Sequence, residues 1–193
     1  MEPAQNVHRV LPHVRRWSAY SPAHRVELTS HAVQTAQGWW IFDPIPLRSA
    51  PFSPGEIAGI LLTSDNHERD SAAWATLYGV DCWAAAEAVD LPAWVRRWNR
   101  PGPFLGWQWI ALPGGAPGET AFHDPDRSLL ILGDAVVNLN GRPLEILPDK
   151  YCRDPRQLRE SLRHLPSVEV ALFAHGEPIL KDASRRIQGL LGV

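Results

Sequence analysis

The chain has 193 residues, of which 45% are apolar and 21% charged, a composition typical of a folded protein and not of a disordered one. The formal net charge of −2, with no dense cluster of lysine and arginine, argues against a nucleic-acid-binding surface. No apolar window is long enough to span a membrane, and Met1–Asn6 lacks the basic start and apolar run of a signal peptide.

The two cysteines, Cys82 and Cys152, are too few for a disulfide framework and do not form a Cys-x-x-Cys pair. We therefore expect a reduced, cytoplasmic setting. The length suits one domain over residues 1–193, with a core from about 14 to 191. Composition alone does not indicate an oligomeric state.

The first part of the chain is predicted to be rich in strands. Val14–Tyr20 and Val26–Thr35 have strand character, and the turn Ala36-Gln37-Gly38 leads into a strand at Trp39–Phe42. Ile57–Leu62 is a continuous apolar run, as expected of a strand that is covered on both faces.

Helices and strands alternate in the remainder. The predictions, in chain order, are a helix at Ser71–Tyr78, a strand at Asp81–Ala84, helical turns in Pro92–Trp98, strands at Leu105–Leu112, Thr120–His123 and Ser128–Leu132, a helix from Asp154-Pro155 to His164, a strand at Val168–Phe173, and a final helix capped by Asp182. Two successive sets of strands with helices between them predict an α+β fold. We expect two packed mixed β-sheets with helices outside, a four-layer sandwich.

Four segments carry polar side chains at the ends of apolar runs or in glycine-rich turns. They are Ser64–Asp70, Pro113–Thr120, Gly133-Asp134 and Ala174-His175-Gly176. A polar residue that follows a buried strand projects into the crevice at the edge of the sheet. In this order, and with the earlier Trp39–Pro44 strand that ends in an Asp, the segments resemble the metallo-β-lactamase fold family of metal-dependent hydrolases.

The resemblance implies that Ser64–Asp70 corresponds to the family's His-x-His-x-Asp-His metal loop, which is not intact in this chain. Counting forward from the preceding strand aligns Ser64 and Asn66 with the paired histidines. Counting back from the following helix aligns Asp65 and His67 with them, and Arg69-Asp70 with the Asp-His pair. Both registers remain open at this stage.

The other segments also bear on the metal site. Pro113–Thr120 resembles the family's Gly-His-Thr-Pro-Gly turn, with Ala116 where a metal-binding His is expected. Asp134 matches the family's metal-bridging Asp, and His175 matches the C-terminal Gly-His-Gly segment. Ala116 supplies no lone pair, and an inward Arg69 would repel a cation, so a full dinuclear zinc site is disfavoured.

The remaining ligand types form the predicted metal set, which is His67, Asp70, Asp134 and His175. Two imidazoles and two carboxylates suffice for one divalent ion such as zinc, iron or manganese. They also suffice for a metal-free network in which Arg69 pairs with Asp134 or Asp70. Asp70 has an alternative role as the N-cap of the following helix.

Asp134 and His67 are the candidate catalytic residues, whereas Arg69, Glu119 and His123 are candidates for a substrate pocket. No segment predicts an organic cofactor, a serine or cysteine nucleophile or a phosphate loop. Further candidates for pocket walls are Trp74, Trp107 and Trp109. His31, in an alternating run, is expected to face solvent.

Two functions follow from the resemblance. The first is a small-molecule binding or regulatory protein that keeps the fold with an eroded metal site, as an inactive or non-classical hydrolase homologue. The alternative is a mononuclear metal-dependent hydrolase of a small ester, thioester, lactone or phosphoester. The residues do not indicate a particular substrate, because specificity in such folds resides in variable loops.

Overall fold

The computed structural model describes residues 1–49, 51–99, 102–104 and 106–192. The strands in these ranges are β1 (His8–Leu11), β2 (Val14–Ser21), β3 (Val26–Thr35), β4 (Gly38–Phe42), β5 (Ile57–Leu61), β6 (Cys82–Ala85), β7 (Arg96–Trp98), β8 (Gly102–Phe104), β9 (Trp107–Ala111), β10 (Thr120–Asp124), β11 (Leu129–Leu132), β12 (Val136–Val137), β13 (Glu145–Ile146) and β14 (Val170–Phe173). The α-helices are α1 (Ser71–Tyr78), α2 (Pro155–Arg163) and α3 (Ala183–Gly189). Within the described ranges no helix has the length and apolar character needed to cross a bilayer.

The strands form two large mixed sheets and one small pair. The first sheet has the order β1-β2-β3-β4-β5-β6-β7, antiparallel as far as β4 and parallel from β4 to β7. The second has the order β14-β11-β10-β9-β8, with β14 and β11 parallel and the other pairs antiparallel. Strands β12 and β13 pair with each other.

An apolar layer fills the space between the two large sheets. It includes Phe42 and Leu61 from the first sheet and Phe122, Ile131 and Leu172 from the second. Each such side chain contributes roughly 1.5–3 kcal/mol by leaving water. The continuous apolar runs at β5 and β14 are explained by this packing, because each strand is also covered on its outer face.

Helices cover both outer faces. Trp74 of α1 stacks on Trp17 of β2, with 5.3 Å between ring centroids, over the first sheet. Leu158 of α2 and Ile187 of α3 belong to the apolar cluster on the outer face of the second sheet, together with Leu130. The order helix, sheet, sheet, helix confirms the predicted four-layer sandwich.

The three α-helices begin where the sequence predicts. Asp154 caps α2, since its side chain accepts hydrogen bonds from the backbone N–H groups of Arg156 and Gln157, at 3.0 Å each. Asp182 precedes α3, but its side chain makes no capping bond and pairs with Arg185 instead. The capping role predicted for Asp182 is therefore wrong, although α3 does begin after it.

Three further sequence expectations are wrong. The predicted helical turns over Pro92–Trp98 contain strand β7, because Arg96–Trp98 pairs in parallel with β6. His31 is 1% exposed and not solvent-facing, because β3 is covered on both faces. The three tryptophans proposed as pocket walls lie in the core, at 4% (Trp74), 1% (Trp107) and 8% (Trp109) exposure. Leu105, where a predicted strand starts, lies outside the described residues.

Candidate metal centre

Three side chains converge at one edge of the two sheets. The Nε2 atoms of His67 and His175 lie 3.1 Å and 2.9 Å from the same carboxylate oxygen, Oδ1 of Asp134. One potential ligand atom from each residue lies within 4.8 Å of the other two. His67 is buried, whereas the side chains of Asp134 and His175 are 14% and 12% exposed. The cluster is thus partly exposed to solvent through Asp134 and His175.

The topology explains why these residues meet. Leu132 of β11 pairs in parallel with Phe173 of β14, so Asp134 and His175, each two residues further on, leave the second sheet side by side. His67 comes from the first sheet, where a single turn of 3₁₀ helix (Asp65–His67) follows β5. The carboxyl ends of the parallel strands therefore supply all three groups.

The ring of His67 is held on its far side by Asp43 and Thr63. Its Nδ1 lies 3.0 Å from Oδ2 of Asp43 and 2.7 Å from Oγ1 of Thr63. Thr63 also donates to Asp43 through its backbone N–H and its hydroxyl, at 2.8 Å and 2.7 Å. A carboxylate only accepts hydrogen bonds, so the ring donates through Nδ1 and turns Nε2 toward Asp134.

His175 is oriented in the same manner by a backbone group. Its Nδ1 lies 3.1 Å from the carbonyl oxygen of Glu27, which can only accept. The ring nitrogen that faces Asp134 is therefore Nε2. Arg16 links the two segments next to His175, because its guanidinium pairs with the carboxylates of Glu27 at 3.1 Å and Glu177 at 2.9 Å.

Both rings thus direct an Nε2 lone pair at one carboxylate oxygen when they are neutral. Three acceptor atoms this close repel one another unless positive charge lies among them, supplied either by protons on the rings or by a cation. Two imidazole nitrogens and one carboxylate oxygen are a ligand set that zinc, iron and manganese accept. Residues His67, Asp134 and His175 therefore fit one divalent ion.

Electrostatics within the cluster are dominated by burial and by the carboxylates. Burial and the charge of Arg69 lower the pKa of His67, but Asp134 and Asp43 outweigh both and raise it to about 9. Burial would raise the pKa of Asp134, yet His67 and His175 bring it well below its usual range. Burial likewise opposes ionisation of Asp43, and its pKa is nevertheless lowered, chiefly by His67.

Glu119 is a further buried carboxyl beside the centre. Its Oε1 accepts a hydrogen bond of 3.1 Å from the backbone N–H of Ala135, the residue after Asp134. Burial, followed by the charge of Asp134, raises the pKa of Glu119 to about 8. The turn residue that faces Glu119 is Gly115, where an added Cβ would lie 2.9 Å from Cγ of Glu119. Ala116, where the sequence predicts the loss of a metal-binding His, is buried in the same turn and supplies no ligand atom.

Arg69 points inward, but it does not pair with a carboxylate as the metal-free network predicted. Its guanidinium donates to the backbone carbonyl oxygens of Thr29 at 2.8 Å, Asp43 at 3.0 Å and Ala174 at 3.3 Å. Neither Asp134 nor Asp70 lies within ion-pair distance of it among the described residues. Arg69 thus ties the two sheets together, because Thr29 lies within β3 of the first sheet and Ala174 follows β14 of the second.

Two predicted site residues lie apart from the cluster. Asp70 occupies the N-cap position of α1, although its side chain makes no capping bond, and it is not among the converging ligands. His123 pairs with Leu130 across β10 and β11, four residues before Asp134, and its ring contacts Gln108 at 3.1 Å. At roughly 3.4 Å per strand residue, His123 lies more than about 10 Å from the centre.

Neither register of the metal loop is reproduced in full. Asn66, from the forward register, donates through Nδ2 to Oδ2 of Asp134 at 3.3 Å. His67, from the backward register, reaches Oδ1 of the same residue. Asp65 instead lies near Asp90, and burial, followed by the charge of Asp90, raises the pKa of Asp65. The loop therefore presents consecutive residues to Asp134.

Sequence reasoning did not assign a role to the groups that orient the ligands. Asp43 was identified only as the end of a strand, and the signal available was its place in Asp43-Pro44 directly after a buried apolar run. Thr63 and the carbonyl group of Glu27 carry no sequence signal of this kind. Asp43 has a positive φ of 49°, which turns the chain sharply at this point.

Comparison with known proteins agrees with the observed fold. A family model described as the metallo-beta-lactamase superfamily matches residues 5–192. The structure of the DIM-1 metallo-β-lactamase exposed to ceftazidime superposes with a TM-score of 0.73 at 14% identity, covering 98% of this chain and 97% of that one. A β-lactamase domain protein from Burkholderia ambifaria gives a TM-score of 0.73 at 18% identity, covering 100% and 74%. At these identities the likeness shows the fold alone.

A curated relative is the probable metallo-hydrolase YflN of Bacillus subtilis (strain 168). It is 29% identical over 107 residues, which are 48% of this chain and 40% of that protein. The matched region therefore spans less than half of the relative's length.

Proposed function

Since the chain belongs to the metallo-β-lactamase superfamily, we propose that it is a mononuclear metal-dependent hydrolase of a small ester, thioester, lactone or phosphoester. The observation that carries the proposal is the pair of imidazole rings, each oriented through Nδ1 so that Nε2 faces Oδ1 of Asp134. Orientation of a ligand ring by a second hydrogen bond is the usual arrangement around protein-bound metals.

The donor set supports one ion of the zinc, iron or manganese kind, held by His67, Asp134 and His175. Three protein ligands leave a position open, which is the pattern of catalytic zinc sites. A bound ion of this kind would polarise a substrate carbonyl or phosphoryl oxygen and lower the pKa of water to roughly 7. Ser64 and Ala116 supply no imidazole, so a two-zinc centre is not proposed.

The other residues have separate tasks in this proposal. Asp43 and Thr63 keep the proton of His67 on Nδ1, and the carbonyl of Glu27 does the same for His175. Asn66 is exposed next to Asp134, where its amide can donate to an oxygen of the substrate.

A second function is supported by the charge state of the same cluster. Because the pKa of His67 is raised to about 9, its ring is protonated at neutral pH. The positive charge of the ring then lies between the carboxylates of Asp43 and Asp134. Protons alone can then balance the carboxylates without a metal. This observation favours a binding or regulatory protein that retains the fold but not hydrolysis.

Metal analysis combined with an activity screen tests the proposal. The protein purified without chelator, or reconstituted with zinc, iron or manganese, is analysed for metal and assayed with small esters, thioesters, lactones and phosphoesters. We expect one tightly held ion per chain, and His175→Ala to lose both the ion and hydrolysis. The matched control is His164→Ala, a surface histidine at the end of α2. Failure to retain any of these metals, with no hydrolysis, would favour the binding protein.

A further inference from the structure

The two imidazole rings of the candidate centre are oriented by acceptors of different kinds. His67 donates through Nδ1 to the buried carboxylate of Asp43, whereas His175 donates through Nδ1 to the backbone carbonyl of Glu27. Glu27 lies near the start of β3, and its side chain is 42% exposed. The carbonyl of Glu27 can orient the ring only if β3 and the loop that carries His175 keep a fixed separation.

Arg16 of β2 contacts the segments on both sides of this hydrogen bond. Its Nη2 donates to Oε1 of Glu27 at 3.1 Å and to the carbonyl oxygen of Gly176 at 3.2 Å, and it lies 2.9 Å from Oε1 of Glu177. Gly176 and Glu177 directly follow His175 in the chain. One nitrogen atom therefore joins the residue that accepts the proton of His175 to the two residues that follow the ring.

The guanidinium of Arg16 also balances two carboxylates. Its side chain is 10% exposed, and Glu27 and Glu177 contact the same nitrogen atom, so their carboxylate oxygens lie close to each other. Without a cation between them the two carboxylates would repel. Loss of the guanidinium would therefore move the carbonyl of Glu27 away from the loop after β14.

The main chain of that loop has anchors that do not involve the guanidinium. The N–H of Thr29 donates to the carbonyl of Ala174 at 2.8 Å, and the N–H of Asn138 donates to the carbonyl of His175 at 3.0 Å. These bonds hold the backbone of the loop in place when the guanidinium is removed. We therefore expect a change at Arg16 to alter the ring of His175 more than the path of the loop.

We propose that Arg16 is a positioning residue for His175, which it holds through the carbonyl of Glu27 so that Nδ1 keeps its proton and Nε2 faces Asp134. The second hydrogen bond of a metal-binding histidine fixes its tautomer and ring orientation, and its loss weakens metal binding. The inference rests on the proposed function in that His175 is taken as a metal ligand. The orientation of the ring itself is measured without metal.

Proton–nitrogen NMR spectra of the metal-free protein test the orientation, because they report the Nδ1–H groups of His67 and His175 separately. The variant His175→Gln identifies the signal of His175. Arg16→Met keeps most of the side-chain length but removes the charge and the donors, and we expect the Nδ1 proton of His175 to exchange with water about tenfold faster or more. The signal of His67 should stay unchanged, because Asp43 still holds that ring.

Zinc affinity, measured by competition with a chromogenic chelator, should fall about tenfold or more in Arg16→Met. Arg16→Lys should stay within about threefold of the wild type, because an ammonium group keeps the charge and offers three donors on one nitrogen. Arg15→Met is the matched control. Arg15 is the neighbouring residue of β2, its guanidinium lies over the rings of Trp39 and Phe52, and its loss should leave zinc affinity and the signal of His175 unchanged.

Glu27→Ala is a second test, because it removes the carboxylate that Arg16 holds but leaves the carbonyl that accepts the proton. The Nδ1 proton of His175 should exchange about threefold faster or more. This variant decides the question if circular dichroism shows that Arg16→Met does not fold. An unchanged signal of His175 in every folded variant, or equal changes in the signals of His67 and His175, would overturn the positioning role. A signal of His175 that depends on Arg16 in a protein unable to hold zinc would overturn the proposed function alone.

Discussion

The Nδ1 atom of His67 lies 3.0 Å from Oδ2 of Asp43, on the side of the ring opposite to Asp134. The contact fixes which nitrogen carries the proton, because the carboxylate can only accept. It also couples the end of β4 to the loop after β5, two neighbouring strands of the first sheet. Asp43 is therefore a positioning residue for the candidate centre, although it does not reach the converging ligand atoms.

We expect Asp43→Asn to weaken zinc binding by about 10–100-fold. The amide can present an N–H to the ring, which favours the tautomer whose Nε2 no longer offers a lone pair. Competition with a chromogenic chelator measures the affinity. Asp126→Asn, on the exposed turn between β10 and β11, is the control. Equal affinity in Asp43→Asn and wild type would contradict the orienting role.

Zinc affinity should rise with pH over the range in which His67 loses its proton. In the metal-free protein the carboxylates overcome burial and raise the pKa of His67 to about 9, so the proton must leave before the ring can ligate. The expected slope is about tenfold per pH unit between pH 6.5 and about 9. Chelator competition at several pH values measures it, and a flat profile would exclude His67 as a ligand.

Arg69→Ala should destabilise the metal-free protein by about 3 kcal/mol, because three carbonyl groups lose a charged donor. Arg69→Lys should recover part of this loss, since an ammonium group cannot reproduce the planar fork. Urea unfolding supplies the values. Arg163→Ala breaks an exposed ion pair with Glu160 and should cost less than about 1 kcal/mol. A comparable loss in Arg69→Ala and Arg163→Ala would argue against the tie between the sheets.

The stability of the fold should decrease in acid because of His31. Burial lowers the pKa of His31 to about 4, against an ordinary value of 6.5, and its Nε2 lies 3.0 Å from the carbonyl oxygen of Phe173. The unfolded chain binds this proton more tightly, so the contribution is complete above pH 6.5 and is lost as the pH falls toward about 4.

The slope over that window is at most about 1.4 kcal/mol per pH unit. His31→Gln keeps a donor for Phe173 and removes the titration, and its unfolding free energy should fall less steeply between pH 6.5 and 4.5. His164→Gln, at a largely exposed histidine, should retain the wild-type slope. The expectation fails if both variants follow the wild-type profile.

The layered fold could be predicted because its inner strands are continuous apolar runs. Ile57–Leu62 and Val168–Phe173 were predicted as buried strands, and the structure has β5 at Ile57–Leu61 and β14 at Val170–Phe173. Strand β7 was missed because its three residues gain their conformation from pairing with β6, and no local pattern encodes a distant partner. The burial of His31 could not be predicted for a related reason. Alternation of polar and apolar residues along β3 predicts one exposed face, but it does not reveal that other segments cover that face as well.

The convergence of His67, Asp134 and His175 agrees with the sequence analysis. Each residue follows the end of a buried strand, and the topology places these strand ends at the same edge of the sheets. The partners of Arg69 could not be predicted, since they are backbone carbonyl groups of two different sheets. The separation of His123 from the centre depends on the direction of β10, which the sequence of one strand does not contain. Whether these groups bind metal stays a prediction.

The long sequence separations within the centre have a kinetic consequence. His67 and Asp134 are 67 residues apart, and His175 is 148 residues from its partner Glu27. Contacts this distant close large loops, and the entropy of that closure is lost before the contacts contribute any stability. The centre therefore exists only after both sheets have docked, and an ion bound there would not guide the early collapse of the chain. Its effect would fall on the unfolding rate, lengthening the lifetime of the finished protein while leaving the rate of folding nearly unchanged.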